Sequence, residues 1–309
     1  MTDTWPKPLL DVSGPLRTDK LDGAAEGMGE WGEQTRALAA EGLVPPDMMT
    51  GLTLFLLSNQ PRDPAKKQAI PGGSGGVAGG VWVRERFTIY QPLAREEAFT
   101  VRGTSVGRHV HKGRRYGTTQ CVTVNQQGEL VAANLTTGLL QYKTEAGLTD
   151  QLEGQSPDLI AAPEPGWSQA ASNPCRAALT QLKPGEVLGG YPVIVSLALM
   201  SARDTARPDN PIHSDPELAR KAGLSRPIAG GSHVLSFALE PIMQTAGRHA
   251  LLHGAAFDIR WKAPVYADIT VCPQARVTAV SDDRIEFALD VLLESGATAM
   301  TGQLTVPLA

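Results

Sequence analysis

The chain of 309 residues carries the same pattern twice. Gly42-Leu43-Val-Pro-Pro46 lines up with Gly223-Leu224-Ser-Arg-Pro227, an offset of 181 residues (223 minus 42). An apolar, helix-like stretch follows each: Met48–Ser58 in the first copy and His233–Thr245 in the second. In the second, Leu235, Ala238, Leu239 and Ile242 recur at the spacing of one buried helical stripe. Four strand-like segments then follow in each copy. They are Val81–Tyr90, Glu97–Val106, Arg115–Asn125 and Glu129–Tyr142, and later Ala255–Lys262, Asp268–Val280, Arg284–Glu294 and Ala297–Pro307. Each is rich in β-branched or aromatic residues, and turns such as Asn125-Gln-Gln-Gly128, Ser281-Asp-Asp283 and Ser295-Gly296 separate them. Phe87 precedes the turn glycine Gly128 by 41 residues, and Phe257 precedes Gly296 by 39. Element order, spacing and turn residues agree, which points to a duplication rather than to two chance apolar patterns.

Each copy therefore reads as one long apolar helix followed by an antiparallel meander. A helix must bury its stripe, and a curved sheet can wrap it. That arrangement is the hot-dog fold, in the α+β class. Two copies in one chain would pair as a pseudo-dimer, joining their sheets and covering edges that each would otherwise expose. The expected organisation is a degenerate hot-dog half over 1–150, a linker over 151–167 ending in Ala162-Pro-Glu-Pro-Gly-Trp167, and a second half over 168–309.

Composition removes several function classes. Lys and Arg number 28 against 32 Asp and Glu, so no basic excess exists to drive nucleic-acid binding. No apolar run reaches the roughly 20 residues of a membrane span, and no signal peptide is visible at Met1. Cys121, Cys175 and Cys272 form no Cys-x-x-Cys pair, which disfavours a zinc or dithiol site and suits a reducing, cytoplasmic setting. The run Pro71-Gly-Gly-Ser-Gly-Gly-Val-Ala-Gly-Gly80 lacks the Lys-Ser/Thr of a phosphate loop and reads as a flexible connection.

Among six histidines, His213 stands out by context. Asp204, Asp209, Asn210, Pro211, His213 and Asp215 crowd one loop ahead of a helix start. An Asp and a His held by a tight turn can share one water, one taking its proton while the other protonates the substrate. The simpler alternative is a surface turn capped by Asp215 with a solvated His.

Asn210-Pro211-Ile212-His213-x-Asp215, followed by Ala222-Gly223-Leu-Ser-Arg-Pro227-Ile228 and a Gly pair, resembles the MaoC-like hot-dog hydratases and dehydratases. The closing segment from Phe257 through Pro264, Asp268 and Gly296 is also similar to that family. The first half resembles the degenerate half of its double hot-dog members. The resemblance implies action on 2-enoyl and 3-hydroxyacyl thioesters, usually of coenzyme A, with no metal and no separate cofactor. One departure stands out. The family's catalytic Asp lies five residues before the His, and that position here is Pro208. Asp204 stands in if the loop gained four residues; Asp209 stands in if its carboxylate is displaced by one.

Hydration also needs the thioester oxygen stabilised, and a helix N-terminus offers free N–H groups. Gly231 would let a thioester approach the backbone, with Asn210, Ser232 and His233 as further substrate-binding candidates. His109, His111, His249 and His253 read as surface or structural. The offset of 181 carries His213 onto Gly32, so the first copy lacks the acid–base group and one site per chain is expected. The basic run Arg108–Arg115 could meet coenzyme A phosphates or be a solvated hairpin. The altered Asp spacing leaves room for a related β-elimination or an intramolecular oxa-Michael addition. The rivals are a hot-dog thioesterase, for which Glu240 is the one acidic residue on the second helix, and a non-catalytic acyl-binding partner subunit. A homodimer of double hot-dogs is the expected assembly.

Overall fold

In the segment Arg284–Leu293 every second side chain is apolar, and Ile285, Phe287, Leu289 and Val291 are all buried. The period of two sets one face of a strand against a core. The same alternation, with turn glycines at positive φ such as Gly128 and Gly296, folds each expected meander into antiparallel strands. The computed structural model describes residues 4–16, 18–60, 81–140, 144–163, 173–204 and 211–308. The glycine-rich run 71–80 lies outside them.

The first copy opens with β1 (Lys7–Pro8), β2 (Val12–Gly14), α1 (Thr18–Glu26) and α2 (Glu33–Ala40). A 3-10 turn (Pro46–Thr50) leads to α3 (Gly51–Ser58). The meander is β3 (Val81–Ile89), β4 (Phe99–His111), β5 (Arg114–Asn125) and β6 (Leu130–Leu139), followed by β7 (Gln151–Gly154). The second copy has α4 (Arg176–Leu179), β8 (Val187–Gly189), β9 (Val193–Val195), α5 (Leu197–Asp204), α6 (Pro216–Lys221) and α7 (Gly231–Ala246). Its meander is β10 (Ala255–Trp261), β11 (Ile269–Val280), β12 (Arg284–Leu293) and β13 (Thr298–Pro307).

All eight expected meander strands form. Among the described residues they join five short strands in one antiparallel sheet, with β3 beside β10 at its centre. Six residue pairs, from Arg84↔Arg260 to Ala255↔Ile89, make that seam. Phe87 and Phe257 stack across it on the buried face. On the other face Arg84 holds Asp258 in a bidentate pair, Nε to Oδ1 at 2.9 Å and Nη2 to Oδ2 at 2.7 Å. This is the double hot-dog arrangement that the duplication predicts. The outer edges are covered too. β2, β1 and β7 lie along β4, and β9 and β8 lie along β11, which hides donors and acceptors that would otherwise template aggregation.

Three elements differ from the sequence reading. The apolar stretch Met48–Ser58 is a 3-10 turn and then a helix, because Pro45-Pro46 fixes its start and Gly51 begins the helical part. α7 is buried on all sides rather than along one stripe: Val234, Leu235, Phe237, Leu239, Ile242 and Met243 are all core. The extra faces are covered by α2 and the Pro46–Thr50 turn of the first copy. The segment 151–167, read as a linker from its Pro and Gly, is in its described part a strand and a 3-10 turn (Pro157–Leu159) laid over β3. Arg86 fixes it there by donating to the carbonyl oxygens of Pro157 at 2.6 Å and Ile160 at 2.8 Å.

Candidate active site

Ile212 is apolar and joins Ala219, Leu224 and Ile228 in a small core of its own. That contact folds Pro211–His213 into a 3-10 turn against the strand-like segment before α7, where Ile228 N donates to Ile212 O at 3.2 Å. Asp215 then caps α6, its Oδ1 accepting from Glu217 N at 2.8 Å and Leu218 N at 3.0 Å. His213 is thereby held between two fixed points. It is only 7% exposed, so it is not the solvated surface side chain of the simpler alternative. Its Nδ1 lies 2.7 Å from the Ile228 carbonyl oxygen. A carbonyl can only accept, so Nδ1 carries a proton, and Nε2 is the basic atom of the neutral ring.

The imidazole lies beside the start of α7. A Cβ placed on Gly230 would stand 3.9 Å from His213 Cε1. Gly230 is the N-cap residue (φ −63°, ψ 149°), and no side chain caps the helix there. The first N–H groups of a helix have no partner within it. At Gly231 an indole packs against the Cα. A Cβ on it would lie 3.0–3.2 Å from three atoms of the Trp261 indole, and Trp261 Nε1 donates to Gly231 O at 3.1 Å. The space that its missing side chain leaves on that side is filled by tryptophan.

Ser232 is buried in the first turn of α7. His233 is fully enclosed, and its Nε2 donates to the Gly27 carbonyl at 2.8 Å. Burial, with the Arg203 charge nearby, holds its pKa well below the ordinary histidine value, so it stays neutral. Its hydrogen bond ties the two copies together, and the acid role considered for it is displaced by this structural one. Asp204 closes α5, but its side chain lies outside the described residues, as do Asp209 and Asn210.

The residue before Asp204 is described and was not singled out from the sequence. Arg203 is buried, donates to Ala24 O at 3.2 Å and forms an ion pair with the buried Asp47 carboxylate of the first copy. Desolvation pushes the Asp47 pKa up, against the opposing pull of Arg203. A Cβ on Gly27 would lie 2.5 Å from Arg203 Cβ, so glycine there lets α1 close onto α5. Asp47 is the one charge between Val44 and Leu57, and a lone charge in an apolar run was the available signal.

The first copy has lost the same machinery. A Cβ on Gly32 would lie 2.1 Å from Met28 Cβ, so no side chain fits where the repeat places the histidine.

Other candidates are absorbed by structure. Glu240 is buried and accepts from Gln34 N at 2.6 Å, Thr35 N at 3.2 Å and Thr35 Oγ1 at 2.8 Å. It caps α2 from another element, with its pKa raised by burial. In the basic hairpin, His111 pairs with Asp150 and Arg115 with Glu145, so two of its side chains are engaged locally. Among the described residues no cluster of three His, Cys, Asp or Glu is arranged to hold a metal, and no helix is long and apolar enough to cross a membrane.

Residues 208–292 match the family model of the MaoC-like domain. Solved structures support the fold over the whole chain. A MaoC-like dehydratase superposes with a TM-score of 0.67 at 14% identity, covering 97% of both chains. A MaoC-like dehydratase from Phytophthora capsici gives 0.63 at 18%, covering 97% of this chain and 95% of that one. A Mycobacterium tuberculosis protein described as having a double hotdog fold gives 0.58 at 14%, covering 97% and 96%. No curated protein matches this chain in sequence.

Proposed function

Starting from a MaoC-like domain at residues 208–292 inside a double hot-dog chain, we propose that this protein is a hydro-lyase interconverting 2-enoyl and 3-hydroxyacyl thioesters. In the hydration direction His213 Nε2, with Asp204 or Asp209, takes a proton from water as its oxygen bonds to C3. The electron pair of the double bond moves toward the thioester oxygen as an enolate. N–H groups at the α7 N-terminus stabilise that charge, and the His–Asp pair then gives a proton to C2, which restores its starting state. Dehydration is the reverse. Coenzyme A enters as part of the substrate. The free thiols of Cys121, Cys175 and Cys272 fit a reducing compartment, and we place the enzyme in the cytoplasm.

The observation that carries this reading is the buried His213. Its Nδ1 is committed to Ile228 O, and its ring lies against the uncapped start of the longest helix. In the first copy the repeat places Gly32 where the second has His213. The thioesterase alternative lacks such support, because Glu240 is occupied as a helix cap.

The test is incubation with short, branched and aromatic enoyl thioesters, read by mass spectrometry for the gain of one water. Release of free thiol without hydration would identify a thioesterase instead. Binding without either product would identify an acyl-binding subunit.

A further inference from the structure

A cleft of about 450 Å³ opens between the start of α5, α6 and the segment leading to α7. Leu197, Pro227 and Ala267 line it together with Ser225, Arg220 and Arg226. Neither arginine is in an ion pair with a described residue, and the nearest acidic side chain of the lining is Asp268. Both guanidinium groups are nevertheless held. Arg220 Nε donates to Pro216 O at 3.0 Å. Arg226 lies over the Tyr266 ring, 5.5 Å from its centroid. A guanidinium fixed through its stem or its face keeps N–H edges for an oxyanion and loses little entropy on binding one. The one carboxylate in the lining, Asp268, is engaged: its Oδ1 accepts from Leu197 N at 3.0 Å. The cleft thus presents two cations, a hydroxyl and an apolar floor against one committed anion.

Its position relates it to the catalytic site. Pro227 is followed directly by Ile228, whose carbonyl holds His213, and then by Gly230 and Gly231. This segment is extended and pairs with the chain ahead of β11, through Ala267 N to Pro227 O at 2.9 Å and Ala229 N to Val265 O at 2.8 Å. Four residues from Pro227 to Gly231 span about 13 Å at the rise of a strand. A pantetheine arm can bridge such a distance between a thioester and its phosphate.

We propose that Arg220 and Arg226 form the subsite for the phosphate at the far end of the pantetheine arm that carries the acyl group. This rests on the thioester reading of the His213 site. The phosphate comes either from coenzyme A or from the phosphopantetheine of a carrier protein; both present the same phosphoester.

Calorimetric titration with coenzyme A itself needs no turnover. The wild type should bind it, and Arg220→Ala/Arg226→Ala should weaken binding about tenfold or more, the cost of lost charge-assisted pairs. Circular dichroism should show both proteins folded, since the two side chains are exposed. In kinetics the double variant should raise KM for an enoyl-coenzyme A at unchanged kcat. It should leave the N-acetylcysteamine thioester, which has no phosphate, unaffected. A parallel titration with a phosphopantetheinylated carrier protein identifies that source if the loss appears there and not with coenzyme A. If the double variant binds both carriers as the wild type does, or the wild type binds neither, the subsite assignment is overturned. If coenzyme A binding falls as expected but no enoyl thioester is hydrated, the subsite stands and the catalytic reading fails.

Discussion

Phe87 and Phe257 lie face to face across the β3–β10 seam, ring centroids 4.2 Å apart and planes within 1°. They are equivalent residues of the duplication, so the contact marks the local twofold axis about which the chain meets its own copy. Each ring is buried, and a truncation there leaves a cavity in both halves at once. Phe87→Ala or Phe257→Ala should each cost about 3–5 kcal/mol in urea unfolding. The double variant should fall short of the sum by more than about 0.5 kcal/mol, because the partners touch. Strict additivity would separate the halves energetically and undo the pseudo-dimer argument. The isolated second half, from about Trp167, should likewise aggregate, since β10 becomes an open edge.

His213→Ala should lower kcat by at least about 100-fold while the protein stays folded, because the basic Nε2 is lost. Near-normal turnover in a folded variant removes His213 from the mechanism. The matching gain-of-function attempt, Gly32→His, should yield no second site. A side chain there meets Met28.

The two loop aspartates are separated by paired amide variants. If the loop lengthened around Pro208, Asp204→Asn should collapse kcat and Asp209→Asn should leave it within a few fold, since Asn keeps most turn hydrogen bonds. Exchange of the two outcomes assigns Asp209 instead. Full activity in both would leave His213 working with another partner.

Glu85 gives a prediction about pH. It is a fully buried residue of β3, accepts from Asn134 Nδ2 at 2.8 Å, and burial raises its pKa from 4.5 to about 8. The folded protein therefore keeps a proton that the unfolded chain releases near its ordinary value. The stability this contributes is complete at low pH, declines as pH rises through the window from about 4.5 to 8, and is gone above it. The decline is of order 5 kcal/mol at most. Glu85→Gln should flatten this part of the pH profile of urea stability. Asp47 and Glu240 are shifted in the same direction, so the wild-type-minus-variant difference is the informative quantity. A difference that does not change between pH 5 and pH 9 would show that Glu85 does not titrate this way.

The strands, the turns and the duplication were legible because each depends on residues close in sequence. Ile285, Phe287, Leu289 and Val291 announce a strand by alternation alone, and Gly296 announces its turn. The Asn-Pro-Ile-His run located the buried imidazole for the same reason. What stayed hidden depends on contacts between distant residues. That His233 bonds Gly27, that Glu240 caps α2, and that Arg203 meets Asp47 are facts about how the two copies dock, at separations of 206, 205 and 156 positions. That Trp261 packs against Gly231 is likewise a contact between distant residues.

The bidentate pair between Arg84 and Asp258 has a consequence for how this interface differs from that of two identical subunits. In an isologous dimer every contact is made twice, once in each direction across the axis. The equivalents of Arg84 and Asp258 under the Phe87–Phe257 axis are Gly254 and Thr88, which carry no charge. The salt bridge is therefore made once. A fused pair can fix its mutual orientation with one-sided bonds that a self-assembling dimer can make only in duplicate. It can assign one copy to chemistry and the other to support without requiring the same side chain to serve both.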